Sequence, residues 1–320
     1  MAAQARMRSA KVLLINLGAL GTEVAKNVVL SGIGSLTILD EHEIVDEDLR
    51  TQFFISKEEV GQKRLEAAKP RIQDMNPRVD LRTDVDNFKR KSESYFEEFD
   101  LIIGTDLSRE EIRTINAISR KYNIPLYIAG LHGIFGYIFV DLIEFNAIEE
   151  KEKSSVATSL GVISQNREVV EVTDYVDDEK SKAFEKVITK HIYQPFEISL
   201  KQATLNGKLT RRQLKRLTNA VPLILALFDY DSDFSKLNTH NLKESAVAIC
   251  KQLGLSEDNL RPDYIEMFVE QAGVQFAPVS AVIGGALAQD VINILGKRQS
   301  PLNNFVVLDG LTLDMQIFEL

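Results

Sequence analysis

A glycine-bearing turn near the start of the chain has residue types and spacing that could bind phosphate. An apolar run, residues 12–15, precedes this turn and an amphipathic stretch follows it, which predicts a strand, a tight turn and a helix. A dinucleotide-binding fingerprint places three glycines in such a turn, one of which lets the backbone approach the phosphates. Asn16 occupies the first position, and only Gly18 and Gly21 remain. The sequence therefore predicts an incomplete phosphate-binding turn.

Asp40 is the second residue that could contact a nucleotide. It ends the next apolar run, about 20 residues after Gly21, where an acidic residue binds ribose hydroxyls in nucleotide-binding α/β folds. Two glycines and one acid also occur by accident in many α/β proteins. On these residues alone, nucleotide binding by this chain is one interpretation among several.

Cys250, the only cysteine, is the candidate covalent nucleophile. Ala246, Ile249 and Leu253 lie with it at helical spacing on one apolar face. Burial on such a face raises the pKa of a thiol and makes it a poor nucleophile. We therefore expect Cys250 to be a packed structural residue and the chain to have no catalytic residue of its own.

No pattern of metal ligands is present in the sequence. A single cysteine excludes a zinc site built from cysteines. The spacing of the histidines fits no metal site either, and we expect no bound metal. The four histidines are His42, His132, His191 and His240.

Composition limits the class of protein. The 320 residues include 44% hydrophobic and 27% charged residues, which is typical of a globular protein. The net charge of -9 without a basic stripe argues against a nucleic-acid partner. Apolar stretches look too short to span a membrane, and the single cysteine indicates a reducing compartment. We expect a soluble protein of the nucleus or the cytoplasm, with no membrane partner.

The elements that position these residues are predicted strands and helices that alternate over residues 1–145. Short apolar runs alternate with amphipathic stretches, which predicts βαβ units in a mainly parallel sheet. A capping-box pattern at Ser56 and Glu59 predicts a helix that continues to about Arg71. The fold class predicted is α/β, with a Rossmann-like, doubly wound sheet.

The rhythm changes in residues 146–275. The charged stretch 146–155 predicts a linker, and four later stretches, the first at 177–192, have helical patterns. A helix dense in small residues and a strand then return in residues 276–320. We therefore predict one α/β domain, formed by residues 1–145 and 276–320, with a mostly helical insertion.

Several ordered motifs together resemble the adenylation domain of ubiquitin-activating-type enzymes. They are "SGIGSLTILDEHEIVDEDLRTQFFISKEEVGQKRLEAA", the pair Asn76-Pro77, and "GGALAQDVINILGKRQSPLNNFVVLDG". The resemblance covers most of residues 8–145 and 276–310. It implies the fold predicted above, and a family whose active members use ATP to adenylate a modifier or sulfur-carrier protein.

The resemblance also implies that the nucleotide site is degenerate. Asp40 keeps the first acid of the family's Asp pair, while Arg64 stands at the position of a phosphate-contacting lysine. Asp106 falls one residue short of the magnesium acid. We therefore expect Gly18, Gly21, Asp40 and Arg64 to be a vestigial nucleotide site. Three other positions depart from the family's pattern: His42, Asp48 and Thr51.

Within the family, the chain is most similar to the smaller subunits of heterodimeric SUMO-activating enzymes. Its length, its insertion and the opening "SAKVLLINLGALGTEVAKNVVLSG" carry this similarity. It implies a non-catalytic subunit whose larger partner binds ATP and magnesium, adenylates SUMO and carries the thioester cysteine. The small-residue helix, residues 281–295, is a candidate for the contact with that partner; the alternative is that it packs against its own sheet. Of the family's arginine-bearing leader, only Gln4 and Arg6 have counterparts.

Three other functions remain open on the sequence. The chain could be an autonomous adenylyltransferase for a ubiquitin-like or sulfur-carrier protein. It could be the non-catalytic subunit for another ubiquitin-like modifier, although such subunits are usually much longer. A nicotinamide-dependent oxidoreductase fits the fold, but no catalytic acid-base set accompanies it.

Overall fold

The computed structural model describes residues 2–154, 156–177, 182–297 and 299–320. The strands are β1 Lys11–Ile15, β2 Ser35–Leu39, β3 Asp80–Asp84, β4 Leu101–Thr105, β5 Leu126–His132, β6 Phe135–Asp141, β7 Glu144–Glu152, β8 Gly161–Ser164, β9 Arg167–Asp177, β10 Lys182–Ile192, β11 Phe305–Asp309 and β12 Asp314–Phe318. The helices are α1 Ala2–Ser9, α2 Ala19–Leu30, α3 Arg64–Met75, α4 Arg109–Lys121, α5 Phe196–Gln202, α6 Arg211–Lys215, α7 Ala220–Leu227, α8 Thr239–Leu253, α9 Pro262–Gln271 and α10 Ala277–Gly296.

The main sheet has eight strands in the order β12-β11-β6-β5-β4-β1-β2-β3. The five strands from β3 to β5 are parallel, and β6, β11 and β12 add antiparallel pairs at the other end. Strands β1, β2 and β4 are mostly apolar and almost wholly buried because helices cover both faces of a parallel sheet. The predicted doubly wound, mainly parallel α/β fold is confirmed.

Two hydrophobic cores lie on opposite faces of this sheet. On one face α2, α3 and α10 pack through residues such as Val24, Ile72 and Leu287. On the other face α4 and the helices of the insertion pack through residues such as Ile112 and Leu223. The insertion and α4 together cover this face, so that both faces of the strands that carry the candidate site are buried.

The small residues of α10 allow it to pack closely on α2. A Cβ atom on Gly284 would lie 2.8 Å from the Cβ atom of Glu23, which is closer than side chains approach. By length and hydropathy α10 could also span a membrane, so the prediction that no stretch approaches that length is wrong. Burial of Leu287 and Val291 in the core of the main sheet explains its apolar character.

The insertion contains strands where the sequence predicted a linker and a helix. Strands β7 to β10 form a four-stranded antiparallel sheet in the order β7-β10-β9-β8. The linker prediction for 146–155 is wrong over 146–152, which belongs to β7, and residue 155 lies outside the described residues. Helices α5 to α9 follow, so the helical part of the prediction holds from residue 196 onward.

The helix predicted over 177–192 is wrong. Phe184, Val187, Ile188 and His191 are spaced like one face of a helix, yet this segment forms β10 and pairs with both β7 and β9. β-Branched residues such as Val187 and Ile188 favour strands, and pairing on both sides outweighs the local pattern. Residues 178–181 of the predicted helix lie outside the described residues.

The helix predicted from Ser56 to Arg71 begins later than expected. The backbone N–H of Ser56 donates to the Glu59 carboxylate at 2.7 Å, as the capping-box pattern predicts. This cap opens only a short 3-10 turn, Lys57–Glu59, and α3 starts at Arg64. The delayed start matters for the site because it places Arg64 in the first turn of α3, facing the carboxyl ends of β1 and β2.

A buried carboxyl group fixes α10 on the sheet. Asp290 accepts hydrogen bonds from the Tyr127 hydroxyl at 2.6 Å and from the Leu302 N–H at 3.2 Å. Burial raises the pKa of Asp290 to about 6, although both hydrogen bonds oppose the shift. Because the folded pKa lies above the unfolded one, the stability that this group contributes is present at low pH and is lost as the pH rises through about 6.

We predict that Asp290→Asn removes this pH dependence. The amide keeps an acceptor for Tyr127 and Leu302 but does not ionise, so the variant gains stability relative to wild type between about pH 4 and pH 7. The gain should be on the order of 2 kcal/mol. Urea unfolding of both proteins across this range measures it. Parallel stability curves for the two proteins would contradict the assignment.

Candidate functional site

The residues predicted to face a nucleotide meet at the carboxyl ends of β1, β2 and β4. Ligands bind at this edge in open α/β sheets. A cavity of about 130 Å³ lies there. Its polar lining consists mainly of Asn16, Asp40, His42, Asp86, Asp106 and Glu111.

The two terminal nitrogens of Arg64 are bound to two buried carboxylates, while its Nε is buried without a hydrogen-bond partner among the described residues. Its Nη1 donates to Asp40 at 2.9 Å, and its Nη2 donates to Asp48 at 3.1 Å. The side-chain amide of Gln52 donates to the same Asp48 carboxylate at 2.7 Å. All four residues are at least 90% buried. Arg64 therefore offsets the charge of this chain's own acids and is not free to neutralise a phosphate.

Asp40 is equally occupied. One carboxylate oxygen accepts from the Leu17 N–H at 2.8 Å and from Arg64, and the other accepts from the backbone N–H of His42 and contacts its Nδ1 at 2.7 Å. Burial alone would raise the pKa of Asp40, but the hydrogen bonds from His42 and the charge of Arg64 lower it. The same contact with Asp40 raises the pKa of His42. No acceptor of Asp40 is left for ribose hydroxyls.

Close packing in the turn after β1 explains why Gly21 is a glycine. A Cβ atom on Gly21 would lie 2.2 Å from the Asn16 carbonyl oxygen, so only glycine allows α2 to start this close to the turn. Asn16 itself adopts a φ of 68°, a left-handed conformation that asparagine tolerates better than most residues. Its side-chain amide donates to the Thr105 carbonyl at 2.9 Å. The turn thus joins strand to helix without a bound ligand.

Gln275 occupies the position at the start of α2 where a phosphate would accept hydrogen bonds. Its Oε1 accepts from the Ala19 N–H at 3.0 Å, and its Nε2 lies 3.4 Å from the Asp106 carboxylate. The first N–H groups of a helix have no partner within the helix, and anions bind there in phosphate-binding folds. Sequence analysis missed Gln275 because it lies 256 residues from Ala19 and matches no motif.

The charge of the cavity opposes a triphosphate. Five of its lining residues are acidic, and one of them, Glu111, is paired with Lys89 at 2.9 Å. Burial raises the pKa of Asp106 to about 6, so this carboxylate is mostly ionised at neutral pH. Among the described residues, no group of three or more potential ligands could hold a metal ion. No lysine or arginine is among the described residues that line this cavity, whereas phosphoryl transfer requires cations that offset the phosphate charge.

Cys250 lies in α8, away from this cavity. It is 1% exposed and packs with Ala246 and Leu253, as the sequence predicts. Burial raises the pKa of the Cys250 thiol to about 11. A thiol that is neutral and enclosed at neutral pH is a poor nucleophile.

A doubly wound sheet with a cavity at the carboxyl ends of its parallel strands defines a nucleotide-binding type of α/β fold. A model of the ThiF family matches residues 1–320, and the chain belongs to this family. It is also similar to the solved structure of E. coli MccB with succinimide, with a TM-score of 0.53 and 15% identity. That match covers 99% of this chain and 66% of the MccB chain, and at this identity it concerns the fold alone.

The chain is a homologue of SUMO-activating enzyme subunit 1. It is 33% identical to that protein from Homo sapiens and 32% identical to that from Xenopus tropicalis, and it covers 88% of each. These matches include 97% and 96% of the chain. It is 51% identical to "DNA damage tolerance protein RHC31" of Saccharomyces cerevisiae, over all of this chain and 93% of that protein. The predicted resemblance is confirmed.

We predict that Asp40→Ala strongly destabilises the fold. The substitution leaves the buried Arg64 with only Asp48 and the Leu17 N–H without a partner, so the free energy of unfolding should fall by about 3–5 kcal/mol. Chemical denaturation measures this loss. The matched control is Asp80→Ala, which breaks an exposed ion pair with Arg82 and should cost less than about 1 kcal/mol. Equal costs for the two variants would contradict the role of the Arg64 cluster.

Proposed function

We propose that this chain is the non-catalytic subunit of a heterodimeric SUMO-activating enzyme. The observation that carries the proposal is the Arg64 cluster: the cation at the phosphate position of the family is bound by Asp40 and Asp48. Gln275 also supports the proposal, because its side chain accepts the hydrogen bond from the first turn of α2. Homology to SUMO-activating enzyme subunit 1 supplies the modifier and the heterodimer.

In this proposal the chemistry belongs to a larger partner subunit. That subunit binds ATP and magnesium, adenylates the carboxyl terminus of SUMO and carries the cysteine that forms the thioester. The present chain contributes the second half of a pseudo-symmetric pair and contacts SUMO only through the complex. It binds neither nucleic acid nor membrane and works in the nucleus, the cytoplasm or both.

The partner would contact the outer side of α10 and the segment before it. The inner side of α10 packs on α2 and on the main sheet, as described above. Phe276 and Val282 remain 43% and 48% exposed on this outer side. A pair built on the family's twofold arrangement could bury them. The small-residue helix is therefore proposed as one part of the contact, through its exposed residues only.

We predict that SUMO-dependent pyrophosphate exchange requires both subunits. The assay combines this chain, the larger subunit from the same source, SUMO and magnesium-ATP, with each component omitted in turn. This chain alone should give no exchange because its phosphate-facing groups are occupied internally. Exchange by this chain alone would mean that it is an autonomous adenylyltransferase. Exchange with another ubiquitin-like modifier, but not with SUMO, would assign it to a different pathway.

We predict that Cys250→Ala leaves thioester formation by the complex unchanged. The thiol is enclosed and its pKa is raised to about 11, so its removal costs only packing, about 1 kcal/mol of stability. Non-reducing gels of the reconstituted complex, with labelled SUMO, measure the thioester. A complex that still assembles but forms no thioester with the Cys250→Ala variant would contradict the proposal.

A further inference from the structure

A second cavity, of about 230 Å³, shares Asp106 with the nucleotide pocket and otherwise has different walls. Leu131 and His132 line it from the end of β5, and Tyr137 lines it from β6. Phe234, from the insertion, closes the opposite side. The cavity therefore lies where the insertion meets the ligand-binding edge of the main sheet, a preferred place for small-molecule sites. The function proposed above does not use it.

Two side chains that are more than nine-tenths buried line this cavity, and each has one polar atom without a hydrogen-bond partner among the described residues. His132 is 8% exposed and Tyr137 is 3% exposed. The Nδ1 atom of His132 accepts from the Gly273 N–H at 3.0 Å, which leaves the proton on Nε2. Among the described residues, neither His132 Nε2 nor the Tyr137 hydroxyl has a hydrogen-bond partner. Both atoms are accessible, since neither is among the fully enclosed atoms that lack a partner. Both therefore face the cavity and can reach a ligand.

Asp106 gives this cavity a negative charge. Its carboxylate lies 3.4 Å from the Gln275 amide, and no described cation forms an ion pair with it, although the more distant charge of Arg64 lowers its pKa. Its negative charge also acts on Tyr137, since it contributes to the raised pKa of that phenol. A partly buried carboxylate without a cation is costly, and charges in such places are normally paired.

The other walls are aromatic and apolar. The His132 ring stacks on Tyr137 with centroids 6.1 Å apart, and Phe234 meets His132 edge-on at 5.7 Å. Phenol and phenyl rings attract cations through their electron-rich faces. A site with aromatic walls and one unpaired carboxylate matches a cation that has an apolar stem.

We propose that this cavity binds a protonated primary amine, with its ammonium group at Asp106 and Tyr137 and its alkyl stem against Phe234 and Leu131. The Nε2–H of His132 donates to an acceptor such as a carbonyl oxygen further along the ligand. A lysine side chain with its backbone carbonyl has this chemistry, as does a free alkylamine that carries a carbonyl group. An anion would be repelled by Asp106, and a purely apolar group would leave the polar groups unpaired.

Two blocked amino acids test the proposal on the isolated full-length chain. Nα-acetyl-lysine-N-methylamide carries the ammonium group, and Nα-acetyl-norleucine-N-methylamide is a near-isostere without it. Ligand-observed NMR titration should show binding of the lysine compound at least tenfold tighter than that of the norleucine compound. Equal affinities would overturn the proposal. A 5-aminopentanamide arm distinguishes the sources: binding as tight as that of the lysine compound assigns the site to free amines, and weaker binding assigns it to a lysine side chain.

Three substitutions locate the binding. Asp106→Asn removes the charge while keeping the shape, and asparagine suits the φ of 52° at this position, so affinity for the lysine compound should fall at least tenfold. Tyr137→Phe keeps the ring and should weaken binding of the lysine compound about threefold. This variant tests the proposal even if Asp106→Asn does not fold. Asp86→Asn is the matched control, because Asp86 lines only the nucleotide pocket and should leave affinity unchanged. Loss of affinity with Asp86→Asn, or none with the folded cavity variants, would overturn the proposal.

Discussion

The buried ion cluster around Arg64 is the interaction on which the site depends. One guanidinium bridges Asp40 at the end of β2 and Asp48 in the following loop, and Asp40 in turn holds the turn after β1 through the Leu17 N–H. Three separate segments are thereby fixed at one edge of the sheet. Buried charges are tolerated only when they are paired, so each member of the cluster requires the others.

The polar groups around this pocket therefore have partners within the chain. In an active nucleotide site the backbone donors, the cation and the acids serve a ligand. Here Asp40 accepts from the turn, Gln275 accepts from the start of α2, and Arg64 is held by two acids. These three contacts are made within the chain. The internal partners satisfy groups that would otherwise be buried unpaired, and they therefore stabilise the fold.

Local sequence patterns predicted the main sheet but not the sheet of the insertion. Strands such as β1 and β4 are continuous apolar runs because both of their faces are covered, and this signal is visible in the sequence. Strand β10 is half-exposed, and the spacing of Val187, Ile188 and His191 fits a helix equally well. Its strand conformation is determined by pairing with β7 and β9, which the local sequence does not show. Positions of the candidate site could be assigned from motifs. The partners of Arg64 and the role of Gln275 could not, because they depend on contacts between distant segments.

The insertion also shapes the edge of the sheet where ligands bind. Arg109 at the start of α4 pairs with Glu197 at 2.8 Å and with Asp229 at 2.7 Å, and the Asp231 carboxylate accepts from the Glu110 N–H at 2.9 Å. These bonds hold the loop before Phe234 over the carboxyl end of β5. The chain then returns to the main domain through Gln275, which meets both α2 and Asp106. Because Asp106 lines both cavities, Gln275 contacts the one carboxylate that the two cavities share.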